Sequence, residues 1–235
     1  LCACLHQAVG SVITPNIIPS QYFGMHIRWG ASTTPWPYIP VYSWRVITYE
    51  TVWEGLEPRK GEWHFEQLDQ AVSRAETHGT EVLLTLGYPP QWAAIDPELA
   101  RTNTGVAQSP RELVDWENYL RKVVMRYKGR IKYYELMNEP LFTETDNGSE
   151  DKRYFPVAKM VEMARIAKSV IGQFDSSAKI ISMSPTGGYA GIKRLDAFLR
   201  AGGGQYIDVV GFHYYVNTAE EIPLLVEKTR SVMKH

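Results

Sequence analysis

Short apolar runs alternate along this sequence with longer stretches of helical periodicity. Residues 22–27, 42–47, 81–86, 131–137, 179–184 and 207–213 are apolar runs of strand length. Between them, residues 65–78 place Phe65, Leu68, Val72 and Ala75 at i, i+3, i+4 spacing, and Gly79 ends the stretch. Residues 111–127 put Leu113, Trp116, Leu120, Val123 and Val124 on one face. Residues 155–171, 192–200 and 219–233 also read as helices. The connection after the first run carries Pro35, Pro37 and Pro40, and residues 87–110 carry Pro89, Pro90 and Pro97, so both read as loops.

The runs are apolar on both faces, as in a parallel sheet covered by helices, and their alternation with helices predicts an α/β fold. No Gly-rich phosphate loop follows the first run, which removes the main support for a dinucleotide-binding fold. The prediction is a (β/α)8 TIM barrel with about the first six β/α units present. Residues 1–20 are expected to be an N-terminal tail and 21–235 a partial barrel holding strands one to six. In such barrels chemistry sits at the C-terminal ends of strands. A complete barrel takes about 250 residues, and here six units already fill the chain.

Composition narrows the function classes. The 235 residues are 44% hydrophobic and 22% charged, with 25 basic and 26 acidic side chains. That balance leaves no electrostatic footprint for nucleic acid, and no apolar stretch is long enough for a membrane span. Cys2 and Cys4, the two cysteines, offer neither a disulfide framework nor a four-ligand zinc site. Leu1-Cys2-Ala3-Cys4 loosely resembles the end of a lipoprotein signal, without the charged and apolar segments of one. No His-x-His pair supports a metal centre, and no cofactor is predicted.

The polar residues at predicted strand ends are few: His26 and Arg28, Arg45, Tyr88 and Trp92, Asn138 and Glu139, His213 and Tyr215. Glu139 stands between an amide and Pro140, which holds its carboxylate in one orientation. A carboxylic acid kept protonated near neutral pH by an apolar setting can act as a general acid. Asn138 can donate to a substrate hydroxyl. Arg45 can instead form an ion pair inside the barrel, with Glu135 as partner.

Four stretches, in order, resemble the clan A glycoside hydrolases, retaining barrel enzymes that include families 5 and 39. They are Asn138-Glu139-Pro140, preceded by Tyr134-Glu135-Leu136-Met137; residues 53–63, with Trp53, Glu57-Pro58 and Gly61; residues 79–92, ending in Pro-x-Trp; and His213-Tyr214-Tyr215. The Glu57-Pro58 stretch leans toward family 39. The resemblance implies Glu139 as acid/base and Asn138 as ligand of the sugar 2-hydroxyl. It implies Tyr215 and Arg45 beside the nucleophile, and His213 positioning substrate or nucleophile. Trp53 and Trp92 would serve as apolar platforms for sugar C–H faces; His26, from its place at the end of the first run, is a further candidate for substrate binding. The partner is then a β-linked oligo- or polysaccharide, in an extracytoplasmic location by analogy.

Retaining glycosidases need two carboxylates about 5–5.5 Å apart. The clan places the nucleophile on strand seven, which is expected to be missing here. Glu135 is about 13 Å from Glu139 along the strand, too far to serve. Glu57 reads as a loop residue, and Asp208 starts the sixth run at the opposite face of the barrel. The competing expectation is a carbohydrate-binding pseudoenzyme that retains aromatic platforms without hydrolysis.

Overall fold

The computed structural model describes residues 18–27, 34–102, 107–143 and 153–234. Cys2, Cys4, Arg28, Asn147-Gly-Ser149 (which reads as a glycosylation sequon) and most of the expected N-terminal tail lie outside the described residues. In chain order the elements are β1 (Gly24–Met25), β2 (Ser43–Val46), α1 (Trp53–Leu56), α2 (Glu66–Thr77) and β3 (Glu81–Thr85). Next come α3 (Pro97–Thr102), α4 (Leu113–Arg126), β4 (Tyr133–Glu135), β5 (Phe142–Thr143), β6 (Phe155–Pro156) and α5 (Val157–Phe174). β7 (Lys179–Ile181), α6 (Tyr189–Arg200) and α7 (Glu221–Val232) complete the set.

Five strands form one parallel sheet in the order β1-β2-β3-β4-β7. Each strand pairs with the one before it in the barrel path. The order never reverses, so there is no switch point of the doubly wound kind. The sheet continues through the expected sixth run, though not as a regular strand. That run joins by one parallel bridge, Ile181 to Val209. Asp208 and Val209 N–H both donate to Ile180 C=O, and Ser182 N–H donates to Val209 C=O. Residues 210–213 then leave the ladder, and Gly211 N–H donates to the Ser182 hydroxyl instead. The architecture is a (β/α)8 barrel, present through its sixth unit.

The helices pack where their apolar stripes direct them. α2 buries Leu68, Ala71, Val72 and Ala75, and α4 buries Trp116, Tyr119, Leu120, Val123 and Val124. Trp116 Nε1 donates to Met163 C=O at 3.1 Å and ties α4 to α5. The stretch 87–110, expected to be all loop, contains α3. Pro97 takes the first helical position, where its missing N–H costs nothing, and the Asp96 carboxylate accepts from the Glu98 and Leu99 N–H groups. The stretch 53–63, read as the loop after strand two, opens with α1.

Candidate active site

Three strands and the segment after β7 send polar side chains into one space at the C-terminal mouth of the sheet. Thr85 and Glu135 are register partners on β3 and β4, and their side chains meet, with Thr85 Oγ1 donating to Glu135 Oε2 at 2.5 Å. The Glu135 carboxylate is buried. Its Oε2 also accepts from Arg45 Nε at 3.0 Å and Nη2 at 2.7 Å, and its Oε1 accepts from the Ser184 hydroxyl. Arg45 thus forms the internal ion pair with Glu135, and the same Nη2 also donates to Asn138 Oδ1 at 2.8 Å. With Oδ1 so occupied, the amide of Asn138 is fixed in sense, and Nδ2 donates to Tyr88 OH at 2.8 Å. Burial is the main cause that raises the Tyr88 phenol above its usual value, so it stays a neutral hydroxyl.

Beyond Asn138 the chain turns out of the sheet. Asn138 bridges Ser184, Glu139 N–H donates to Ser184 C=O at 3.0 Å, and Glu139 takes φ 46°. Tyr88, after Gly87 at the end of β3, takes φ 52°. These two are the non-glycine residues with positive φ among the described residues. Such backbone costs about 1–3 kcal/mol and clusters at functional sites.

The Glu139 carboxyl is partly open, and its Oε1 lies 2.7 Å from His213 Nδ1. The contact serves either protonation state of the acid: a carboxyl O–H can donate to the ring nitrogen, or the ring N–H to a carboxylate. A carboxyl so placed can give a proton and later take one. Tyr215, exposed, packs edge-on to His213 at 6.3 Å between ring centres. Its phenol is raised above the usual value by the charge of Glu139 first, then by burial and a hydrogen bond to that carboxylate. Glu139, Asn138, Arg45, His213 and Tyr215 therefore share one site.

The other predicted residues fare differently. Trp53 is fully buried, so it cannot be a sugar platform. It stacks on Tyr119 at 4.7 Å, meets Trp116 and Trp92, and donates from Nε1 to Glu57 Oε2 at 2.9 Å. The expectation failed because a Trp on α1 faces the helix layer, not the mouth. Trp92 keeps part of its ring exposed, donates from Nε1 to Glu57 C=O, and carries the Lys60 ammonium 5.3 Å from its ring centre. Glu57 is structural: its second oxygen accepts from Gly61 N–H at 2.9 Å. His26, just past β1, is exposed. Thr85 and Ser184 were not singled out from the sequence, and Tyr88 was read there as a polar residue after the third run without a role. The available signal was a hydroxyl residue near the C-terminal end of an otherwise apolar run. Among the described residues, no three His, Cys, Asp or Glu side chains gather as a metal site requires. None of the described helices is long and apolar enough to cross a membrane.

A parallel barrel with an Asn-Glu pair at the end of its fourth sheet strand, met by a His from the sixth, defines the class of clan A glycoside hydrolases. Within it the chain belongs to glycosyl hydrolase family 10, whose model matches residues 37–161. This corrects the lean toward family 39 or 5 at the family level. Over 96 residues, 37% of this chain and 24% of the relative, it is 32% identical to endo-1,4-beta-xylanase A of Halalkalibacterium halodurans. Its fold is similar to that of xylanase XynB from Paenibacillus barcinonensis, with TM-score 0.59 and 20% identity over 81% of this chain and 59% of that one. It is also similar to a family 39 enzyme from Bacteroides cellulosilyticus, with TM-score 0.51 and 22% identity over 74% of this chain and 32% of that one. The chain thus spans about a quarter of the curated relative and under two thirds of these solved structures.

Proposed function

We propose that this chain carries the acid/base half of a retaining glycoside hydrolase that cleaves β-1,4-linked xylan. The observation that carries this reading is the Glu139 carboxyl, partly open at the mouth, 2.7 Å from His213 and next to an amide of fixed sense. In the first step Glu139 protonates the leaving glycosidic oxygen, and in the second it takes a proton from the attacking water. Asn138 Nδ2 donates to the 2-hydroxyl of the reacting sugar, a contact that strengthens as charge develops at the neighbouring carbon. His213 holds Glu139, Tyr215 lines the mouth, and Trp92 offers an apolar face to a sugar ring. The nucleophile carboxylate is assigned by the resemblance to a seventh strand. The polysaccharide specificity rests on the xylanase relatives. Residues 21–235 act in this reading as one barrel unit, and 1–20 as a tail.

The test is release of reducing ends from xylan by the full-length protein. Glu139→Gln is expected to lower kcat by about 10²–10⁴-fold. Glu139→Ala should recover turnover on an activated aryl glycoside when azide is added, giving the β-glycosyl azide. Turnover of Glu139→Gln within a few-fold of wild type would sink the assignment.

A further inference from the structure

Resting on the hydrolase reading, we infer that Glu135 is a positioning residue for the reaction, acting on the sugar-binding amide of Asn138 through Arg45. A buried carboxylate–guanidinium pair is weak evidence for stability, because the loss of hydration offsets much of its attraction. The arrangement is nonetheless complete. Glu135 accepts from Arg45 twice, from Thr85 and from Ser184, using groups from β2, β3 and the segment after β7. These contacts hold the guanidinium in one plane and place. The same Nη2 that bonds Glu135 at 2.7 Å reaches Asn138 Oδ1 at 2.8 Å. Arg45 cannot accept a hydrogen bond, so it dictates which end of the amide faces it. Nδ2 is thereby turned toward Tyr88 and keeps a second N–H for a hydroxyl of the substrate.

The opposite sense would put Nδ2 against the guanidinium, two donors face to face. Glu135 sets that choice without touching the sugar. Its carboxylate can serve all its donors at once, whereas a Gln amide presents N–H where one of them now donates. A Gln at 135 keeps its oxygen toward Arg45 only by turning its N–H2 onto the Ser184 hydroxyl, and it removes the charge that holds the guanidinium, so Arg45 is loosened and Asn138 with it.

The test reads the amide directly. In the free protein labelled with nitrogen-15, the Asn138 side-chain NH2 should give two separate signals protected from exchange. In Glu135→Gln these should move toward the values of an unrestrained amide. Unchanged Asn138 signals in a folded Glu135→Gln protein would overturn the proposal, whatever the activity. Kinetics provide the second reading. Glu135→Gln should lower kcat by about 10–100-fold on an aryl β-xyloside, the range expected for a misplaced binding group. It should change kcat by less than about 3-fold on the 2-deoxy analogue, which lacks the hydroxyl that Asn138 binds. Equal losses on both substrates would also overturn it. If Glu135→Gln does not fold, Arg45→Lys keeps the charge but removes the second donor, and must move the same Asn138 signals. If the full-length wild type cleaves neither substrate, the hydrolase reading fails, and the Asn138 signals alone decide whether Glu135 sets the amide.

Discussion

Gly87 shows at the scale of one residue how the site is held open. Its φ is 91°, and an added Cβ would meet Met137 Cγ at 3.3 Å. The glycine lets β3 end abruptly and throw Tyr88 across to Asn138. Gly87→Ala should lower stability by about 1–3 kcal/mol, seen as a lower urea midpoint at unchanged slope. Trp53 is a second case. Truncating this buried ring to Ala should cost about 3–5 kcal/mol and leave KM on xylan unchanged in the folded protein, while Trp92→Ala should cost less stability and raise KM on xylan. Opposite behaviour of the two tryptophans would return Trp53 to the cleft. Asn138-Glu139-Pro140 by itself reads equally as a plain turn after a strand; the four stretches in order made Glu139 the candidate, and the fold brings its carboxyl to His213. The sequence could not rank the tryptophans. A Trp ring is equally suited to a core and to a sugar face, and only the side of the barrel from which it comes decides.

At the scale of elements, helix periods were legible and strand lengths were not. α2, α4 and α5 lie within a few residues of their apolar stripes. The strands are shorter than their apolar runs; past the end of β4 the pairing continues toward the mouth as a single bridge, Asn138 to Ser184. α3 was hidden because Pro97 reads as a breaker unless Asp96 is recognised as its cap. The contacts between α2 and α4 were not legible either, since Asp69 and Arg126 are far apart in sequence. Arg126 donates to both Asp69 oxygens, and Tyr127 OH donates to one at 2.9 Å. The Arg126 hydrogen bond leads in holding the Asp69 carboxyl below its usual range, against a smaller opposing effect of burial. A carboxyl depressed in the folded state stabilises above its unfolded pKa of about 3.9 and loses that contribution as pH falls through the lower folded value. The pair is partly exposed, so solvent screening leaves about 1 kcal/mol or less. Asp69→Asn should therefore lower the urea midpoint slightly at pH 7, and the difference from wild type should shrink below pH 4. A gap that widens on acidification would contradict this assignment.

At the scale of the molecule, the two ends of the sheet separate stability from chemistry. Asp208 lies at the N-terminal end, where the sixth segment joins β7. Its carboxylate accepts from Ile180 N–H at 2.9 Å and from the Lys168 ammonium at 3.3 Å, with Lys179 at 3.9 Å. Burial alone would raise this carboxyl, but the Ile180 N–H and the two lysines outweigh it and hold it below the usual range. The sixth segment has one ladder bridge, and this side chain adds to the backbone hydrogen bonds that fix Val209 beside Ile181. That segment then runs the length of the sheet to deliver His213 and Tyr215 to Glu139. Asp208→Asn keeps the size and an acceptor but removes the charge, and should lower stability by about 1–3 kcal/mol at pH 7. Because the folded carboxyl is depressed, that loss should vanish as pH falls through the folded value. If the two ends are separable, kcat on xylan at 25 °C should stay within about 2-fold of wild type while the protein remains folded. A change in kcat without a change in urea midpoint would show instead that the sixth segment transmits its register to His213, and that Asp208 sets the mouth as well as the base.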